Sequence, residues 1–199
     1  MSETGIKSKP IYRDLEPDPA AQTHLLAGEG AGASALVRLC QALQTQQGGS
    51  VSIDYTAGPG PDRAADLHSR LADAVRIHAD REALAEVLRQ ALAGAGMSVR
   101  LYLAGSEPFL WTLALTARDM GMPDSAIRMQ RCGPLARRVQ CVHCKTTADW
   151  VERTIYQCPG CALHLMVRDH FSPRLGLYQG VCVDAEEPGV IPPAEEFEA

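Results

Sequence analysis

Between Thr23 and Gln130, short apolar runs alternate with stretches in which apolar residues recur every three or four positions. Thr23-His24-Leu25-Leu26-Ala27 has the length of a buried strand, and Leu36, Val37, Leu39, Cys40 and Leu43 then fall on one side of a helix. Gly48-Gly49 stops that helix, and Val51-Ser52-Ile53-Asp54-Tyr55 reads as the next strand. A turn through Gly58, Pro59, Gly60 and Pro61 leads into a weaker helix at 62–71, and residues 74–78 form a third strand. Asp80 is placed to cap a helix whose apolar face is Leu84, Val87, Leu88, Ala91 and Leu92. Residues 98–104 read as a fourth strand and 107–120 as a nearly all-apolar helix expected to be buried. Gly121 and Pro123 end it, and 126–130 is a fifth strand.

Five strands alternating with four helices predict an α/β domain, a five-stranded doubly wound parallel sheet with right-handed crossovers. The ligand crevice of such a sheet lies beyond the carboxyl ends of its strands, which places 28–34 and 105–108 at one rim. After Cys161, alternating segments at 163–167 and 175–183 suggest a small antiparallel sheet. The expected organisation is therefore an arm at 1–21, the α/β domain at 22–131 and a hinge at 132–140 holding Gly133, Pro134, Arg137 and Arg138. A four-cysteine module at 141–184 and an acidic tail at 185–199 follow. The arm carries Lys7, Lys9 and three prolines without apolar periodicity, and reads as an extended segment for docking on a partner. From Asp184 to the end the chain has six acidic residues and no basic one, and the tail reads as disordered or partner-bound.

Composition narrows the class. The chain has 199 residues, 46% hydrophobic and 22% charged, with a formal charge of −5, as in a globular protein with no general affinity for nucleic acid. The N-terminus lacks the apolar stretch of a signal peptide, and no apolar run reaches the roughly 18 residues of a membrane span. A cytoplasmic location follows as the expectation, where thiols stay reduced and paired cysteine turns read as metal ligands.

Those turns are Cys141-Val142-His143-Cys144 and Cys158-Pro159-Gly160-Cys161. Each presents two thiolates from one tight loop, and together they supply the four ligands of a tetrahedral site for structural zinc or a single redox iron. Zinc is the preferred reading, because a redox-silent ion would hold together a module too small to build its own core. His143 and His164 flank a shell that the cysteines already complete. Cys40, Cys132 and Cys182 are isolated and read as small buried hydrophobes. Arg128, Arg131, Arg137, Arg138, Lys145 and Arg153 make the hinge region basic, and read as a solvated or partner-facing surface. A nucleic-acid footprint is the sharper alternative, but no stacking aromatics are interleaved.

The strand-to-helix loop Gly28-Glu29-Gly30-Ala31-Gly32-Ala33-Ser34 could hold a pyrophosphate on its backbone N–H groups. With Tyr102-Leu103-Ala104-Gly105-Ser106-Glu107-Pro108-Phe109, it resembles the pyridine-nucleotide domain of ferredoxin reductase-like proteins, especially phthalate dioxygenase reductase relatives. The resemblance implies a Rossmann-like fold and a vestigial NAD(P)H site at Gly28, Gly30, Gly32, Ser34, Gly105, Glu107 and Pro108. The departures are an extra loop residue, Ala35 for proline, Ala104 and Ser106 for cysteine and proline, and no arginine after the second strand. The roughly twenty residues before the domain are too few for a flavin barrel, so none is expected there, and no plant-type cluster spacing is present.

The module is similar in outline to zinc ribbons and rubredoxins, although Lys145-Thr146 and Ala162 stand where rubredoxins usually have Gly-Tyr and Gly. Lys9-Pro10-Ile11-Tyr12, the worn reductase-like domain and the Val167-Arg168-Asp169-His170-Phe171-Ser172 run together resemble the DmmA family, the small subunits of bacterial dimethylamine monooxygenase. That resemblance implies a multisubunit, haem-dependent enzyme that demethylates dimethylamine to methylamine and formaldehyde with oxygen and reduced pyridine nucleotide. Haem, FMN and 2Fe–2S are then expected on a haem subunit and a reductase subunit, with this chain in an accessory, non-catalytic role. Two other readings stay open: a rubredoxin-like electron-transfer or NAD(P)H-binding component, and a zinc-ribbon nucleic-acid binder.

Overall fold

The computed structural model describes residues 9–45, 49–71 and 74–198. Lys7 in the arm, Gly48 at the helix stop and Ala199 in the tail lie outside the described residues. Residues 12–133 form one compact unit, and residues 134–198 with 9–11 form another.

In the first unit, β1 (Thr23–Glu29), β2 (Ser50–Thr56), β3 (Val75–His78), β4 (Val99–Gly105) and β5 (Ile127–Arg131) make one parallel sheet in the order β3-β2-β1-β4-β5. The helices are α1 (Ala33–Gln44), α2 (Ala64–Leu71), α3 (Arg81–Leu92) and α4 (Glu107–Asp119). The chain runs outward from β1 to β3 and then crosses to β4, so strand order reverses between β1 and β4. With right-handed crossovers this puts α1 and α2 on one face of the sheet and α3 and α4 on the other, and each pair packs together. Central strands covered on both faces should be apolar throughout rather than alternating. In β4, Leu101, Tyr102, Leu103 and Ala104 are all fully buried. α4 is buried along most of its length, as its composition predicts, and Ser106 caps it by accepting from the Phe109 N–H at 3.3 Å. Asp80 caps α3 by accepting from the Ala83 N–H at 2.8 Å. No helix among the described residues is long and apolar enough to cross a membrane.

Within the arm, residues 12–18 make contacts with this chain's own first unit. Leu15 packs against the core, and Arg100 Nε donates to Asp18 Oδ2 at 2.6 Å. Trp111 Nε1 donates to Tyr12 Oη at 2.9 Å, and Tyr12 Oη donates to Glu107 Oε2 at 2.8 Å. Residues 9–11 group with the second unit, where Lys9 Nζ lies 2.9 Å from Asp169 Oδ2.

The second unit is a sheet of β6 (Arg137–Cys141), β7 (Thr147–Val151), β8 (Ile155–Gln157), β9 (His164–Ser172) and β10 (Leu177–Cys182) in the order β7-β6-β10-β9-β8. Its pairs are antiparallel except β6 with β10, which is parallel. The hinge assigned to 132–140 is therefore corrected, because its second half is strand. Arg137, Val139 and Cys141 point inward in alternation with half-buried neighbours. Burial of Arg137 is sustained by its guanidinium lying 4.4 Å from the Tyr178 ring centroid and 3.9 Å from that of Phe197. Arg137 also donates to Asp169 Oδ1 at 3.0 Å.

Phe197 belongs to the tail expected to be disordered or partner-bound. It is buried, and Thr154 N–H donates to Glu195 O at 2.8 Å while the backbones of Arg153 and Glu196 form an isolated antiparallel β-bridge. The acidic segment is thus strapped to its own module. Three of the basic residues of this region have partners within the chain: Arg138 pairs with Asp149, Lys145 Nζ donates to Val142 O, and Arg128 Nη1 donates to Ser125 O.

Candidate metal centre

The two cysteine turns are built alike. In the first, the Lys145 N–H donates to Cys141 O and the Cys141 N–H to Thr146 O, both at 3.0 Å. In the second, the Ala162 N–H donates to Cys158 O and the Cys158 N–H to Leu163 O, both at 2.9 Å. The residue after each C-x-x-C closes the loop in the left-handed region, Lys145 at φ 65° and Ala162 at φ 59°. The first turn leaves the end of β6, and the second connects β8 to β9. Sheet pairing thereby brings together ligands that are far apart in sequence.

The four Sγ atoms lie within 4.8 Å of one another. Cys141 and Cys161 are 3.8 Å apart and Cys144 and Cys158 are 3.6 Å apart. A tetrahedron with metal–sulfur bonds of about 2.3 Å has edges of about 3.8 Å, so the sulfurs stand where one four-coordinate ion needs them. A disulfide would need about 2.05 Å. Cys141 and Cys158 are buried, while Cys144 and Cys161 are partly exposed.

The Cys144 thiol donates to Thr146 Oγ1 at 3.2 Å, and hydrogen bonding with the hydroxyl and backbone of Thr146 holds that thiol down at about 6. The Leu163 N–H favours the Cys161 thiolate, yet burial and hydrogen bonding with the other sulfurs push that thiol up to about 12. Cys144 is thus the readier of these two thiols to ionise, and a bound cation would favour the thiolate form of its ligands. Gly160 is required by this packing, since a Cβ there would lie 2.1 Å from Thr146 Oγ1 and 3.1 Å from Cys144 Sγ. Tyr156 packs on the cluster with its hydroxyl buried and without a hydrogen-bond partner among the described residues. His143 is exposed and His164 half-buried in β9, and the ligand set comprises the cysteines alone. Cys40 is buried, which raises its thiol to about 11. Cys182 differs from the expectation for it, being half-buried and donating to Asp184 Oδ1 at 3.2 Å.

The glycines of the expected nucleotide loop meet at the β1–β4 crossing. A Cβ on Gly28 would lie 2.6 Å from Leu36 Cδ1, and one on Gly32 would lie 2.0 Å from Ala104 O. They serve close packing of helix on strand. Gly30 adopts φ 51° in the turn, Ser34 is exposed on α1, and Glu107 and Pro108 are buried in the first turn of α4.

The residue that the motif did not single out is Glu29. It ends β1, is 3% exposed, and takes hydrogen bonds from Arg81 Nη2 at 2.9 Å and from the Ser106 hydroxyl. A Cβ on Gly105 would come within 3.0 Å of Glu29 Cβ, and one on Gly58 within 2.4 Å of Glu29 Cγ. Two like unit charges 4 Å apart repel by about 4 kcal/mol at an effective dielectric of 20, so this carboxylate opposes a phosphate beside it.

Residues 4–127 match the family described as "Dimethylamine monooxygenase subunit DmmA-like, N-terminal domain", and residues 138–181 match its C-terminal domain. The chain is 36% identical over 181 residues to a protein of Ectopseudomonas mendocina (strain ymp) named "Heme-dependent oxidative N-demethylase delta subunit", covering 91% of each. Among solved structures it is similar to phthalate dioxygenase reductase at 18% identity and TM-score 0.46, covering 66% of this chain and 44% of that one. An intact type IV self-sufficient cytochrome P450 monooxygenase is similar at 17% identity and TM-score 0.48, covering 67% of this chain and 19% of that one. The chain spans less than half the length of either structure.

Proposed function

The chain belongs to the dimethylamine monooxygenase subunit DmmA-like family, and from that premise we propose that it is a non-catalytic accessory subunit of a haem-dependent oxidative N-demethylase. Its role is to assemble the complex and to orient a flavin and iron–sulfur reductase subunit against a haem subunit. The reaction served is the conversion of dimethylamine to methylamine and formaldehyde with oxygen and reduced pyridine nucleotide. Haem, FMN and the 2Fe–2S cluster then belong to the partner subunits.

The observation that carries this reading is the closed ligand shell. Four sulfurs at tetrahedral spacing leave no coordination position for a substrate or a water, which is the arrangement of a structural rather than a catalytic site. We take the ion to be zinc, held by Cys141, Cys144, Cys158 and Cys161, which would fix β6 against the β8–β9 connection. A second reading makes the ion iron and the module an electron relay. It draws on the partial exposure of Cys144 and Cys161, which would bring a redox ion near the surface.

The test is co-expression of the tagged chain with the haem and reductase subunits. The expected result is a stable complex that demethylates dimethylamine, with no turnover by the isolated chain. Turnover by the chain alone, or failure of the three to co-purify, would overturn the proposal.

A further inference from the structure

We infer that Glu29 is a resident anion: its carboxylate holds the place at the β1–β4 rim where a nucleotide-binding loop receives a diphosphate, so this domain takes no pyridine nucleotide as it stands. The inference goes beyond the accessory-subunit reading and does not depend on it, since a subunit that fails to assemble could still carry a plugged crevice.

Three observations meet at this point. The rim lies beyond the carboxyl ends of the strands, where strand order reverses, which is where a doubly wound sheet exposes its ligand site. The groups that would greet a phosphate are present: Arg81 in the first turn of α3, Ser106 at the cap of α4, and the loop of Gly30 and Gly32 leading into α1. Arg81 and Ser106 are already committed, one to each oxygen of the Glu29 carboxylate. The chain has thus kept donors suited to an anion and supplied the anion from one of its own side chains.

The fit around Glu29 is also steric. Gly58 and Gly105 stand against its Cγ and Cβ with no room for a side chain of their own. Thr56, opposite Glu29 in the β1–β2 register, is fully buried, and neither its hydroxyl nor Arg81 Nε has a hydrogen-bond partner among the described residues. Donor capacity in the pocket therefore exceeds what one carboxylate uses. Removing the Glu29 side chain leaves a cationic, donor-rich cavity, and an inorganic diphosphate is the chemistry that would refill it.

The experiment uses the full, metal-loaded chain and its Glu29→Ala variant, titrated with NADH and with inorganic pyrophosphate. For the wild type, no saturable NADH binding is expected up to about 1 mM, and pyrophosphate should leave the thermal midpoint unchanged. For Glu29→Ala, the midpoint should fall and then rise with pyrophosphate concentration. Saturable NADH binding by the wild type would overturn the inference, and so would a folded variant whose midpoint ignores pyrophosphate. The wild-type titration decides even if the variant does not fold. Assembly with partner subunits enters neither measurement, so failure here is distinct from failure of the accessory role.

Discussion

Lys145 and Ala162 occupy the same place in the two cysteine turns, each the first residue after a C-x-x-C and each in the left-handed region, at φ 65° and 59°. An L-residue in that conformation loses roughly 1–2 kcal/mol to contact between its Cβ and the backbone. Part of that is offset because glycine loses more chain entropy on folding. Lys145→Gly and Ala162→Gly should therefore each stabilise the metal-loaded protein, by about 0.5–1 kcal/mol, in urea unfolding. Unchanged or lower stability would show that the two turns are not strained as their geometry implies.

Gly160 tells the opposite story, because the space its missing Cβ would fill belongs to Thr146 and Cys144. Gly160→Ala should displace the second turn and cut bound metal well below one ion per chain, read by elemental analysis after dialysis. Full metal content in the variant would mean that the packing of the turns yields more easily than these distances allow.

The strap on Arg137 carries its own energetics. Truncating a buried phenylalanine typically costs about 3–5 kcal/mol, less where one face reaches solvent. Phe197→Ala should accordingly destabilise the second unit by about 2–3 kcal/mol, including the lost cation–π contact with Arg137. Cleavage after Glu195 and Glu196 by a glutamate-specific protease should accelerate in step. A variant that unfolds at the wild-type urea concentration would mean the tail contributes no stability.

His24 sets a pH dependence in the first unit. Burial lowers its pKa below the ordinary 6.5, and its Nδ1 lies 3.1 Å from Tyr102 Oη. Because the unfolded chain takes up the proton first, the contribution of neutral His24 is complete above 6.5 and is lost as pH falls below that value toward the folded pKa. The thermal midpoint of the wild type should exceed that of His24→Gln at pH 8, and the gap should narrow between pH 6.5 and 5. A gap independent of pH would contradict this.

The strands and helices of the first unit were legible because each has a period of its own, and the metal ligands because C-x-x-C spacing is dictated by the reach of two thiolates. Strand β6 was obscured by Arg137 and Arg138, whose charges read as solvent-facing. Arg137 is buried only because Tyr178 and Phe197, distant in sequence, close on either side of it. The tail was misread for the same reason, since one aromatic among glutamates carries no periodicity. Strands β7 and β8 are short and half-exposed, so alternation marks them faintly. Glu29 stood inside the glycine loop, but a pattern of glycines does not say which way the intervening side chain turns.

Everything proposed for the second unit rests on what four thiolates hold. Elemental analysis of the freshly purified chain, together with its visible absorption spectrum, tests this most directly. One zinc per chain and a colourless solution are expected for a subunit that the metal holds together. One iron per chain, with the red colour of a ferric–thiolate centre, would contradict the structural role and make the module an electron carrier.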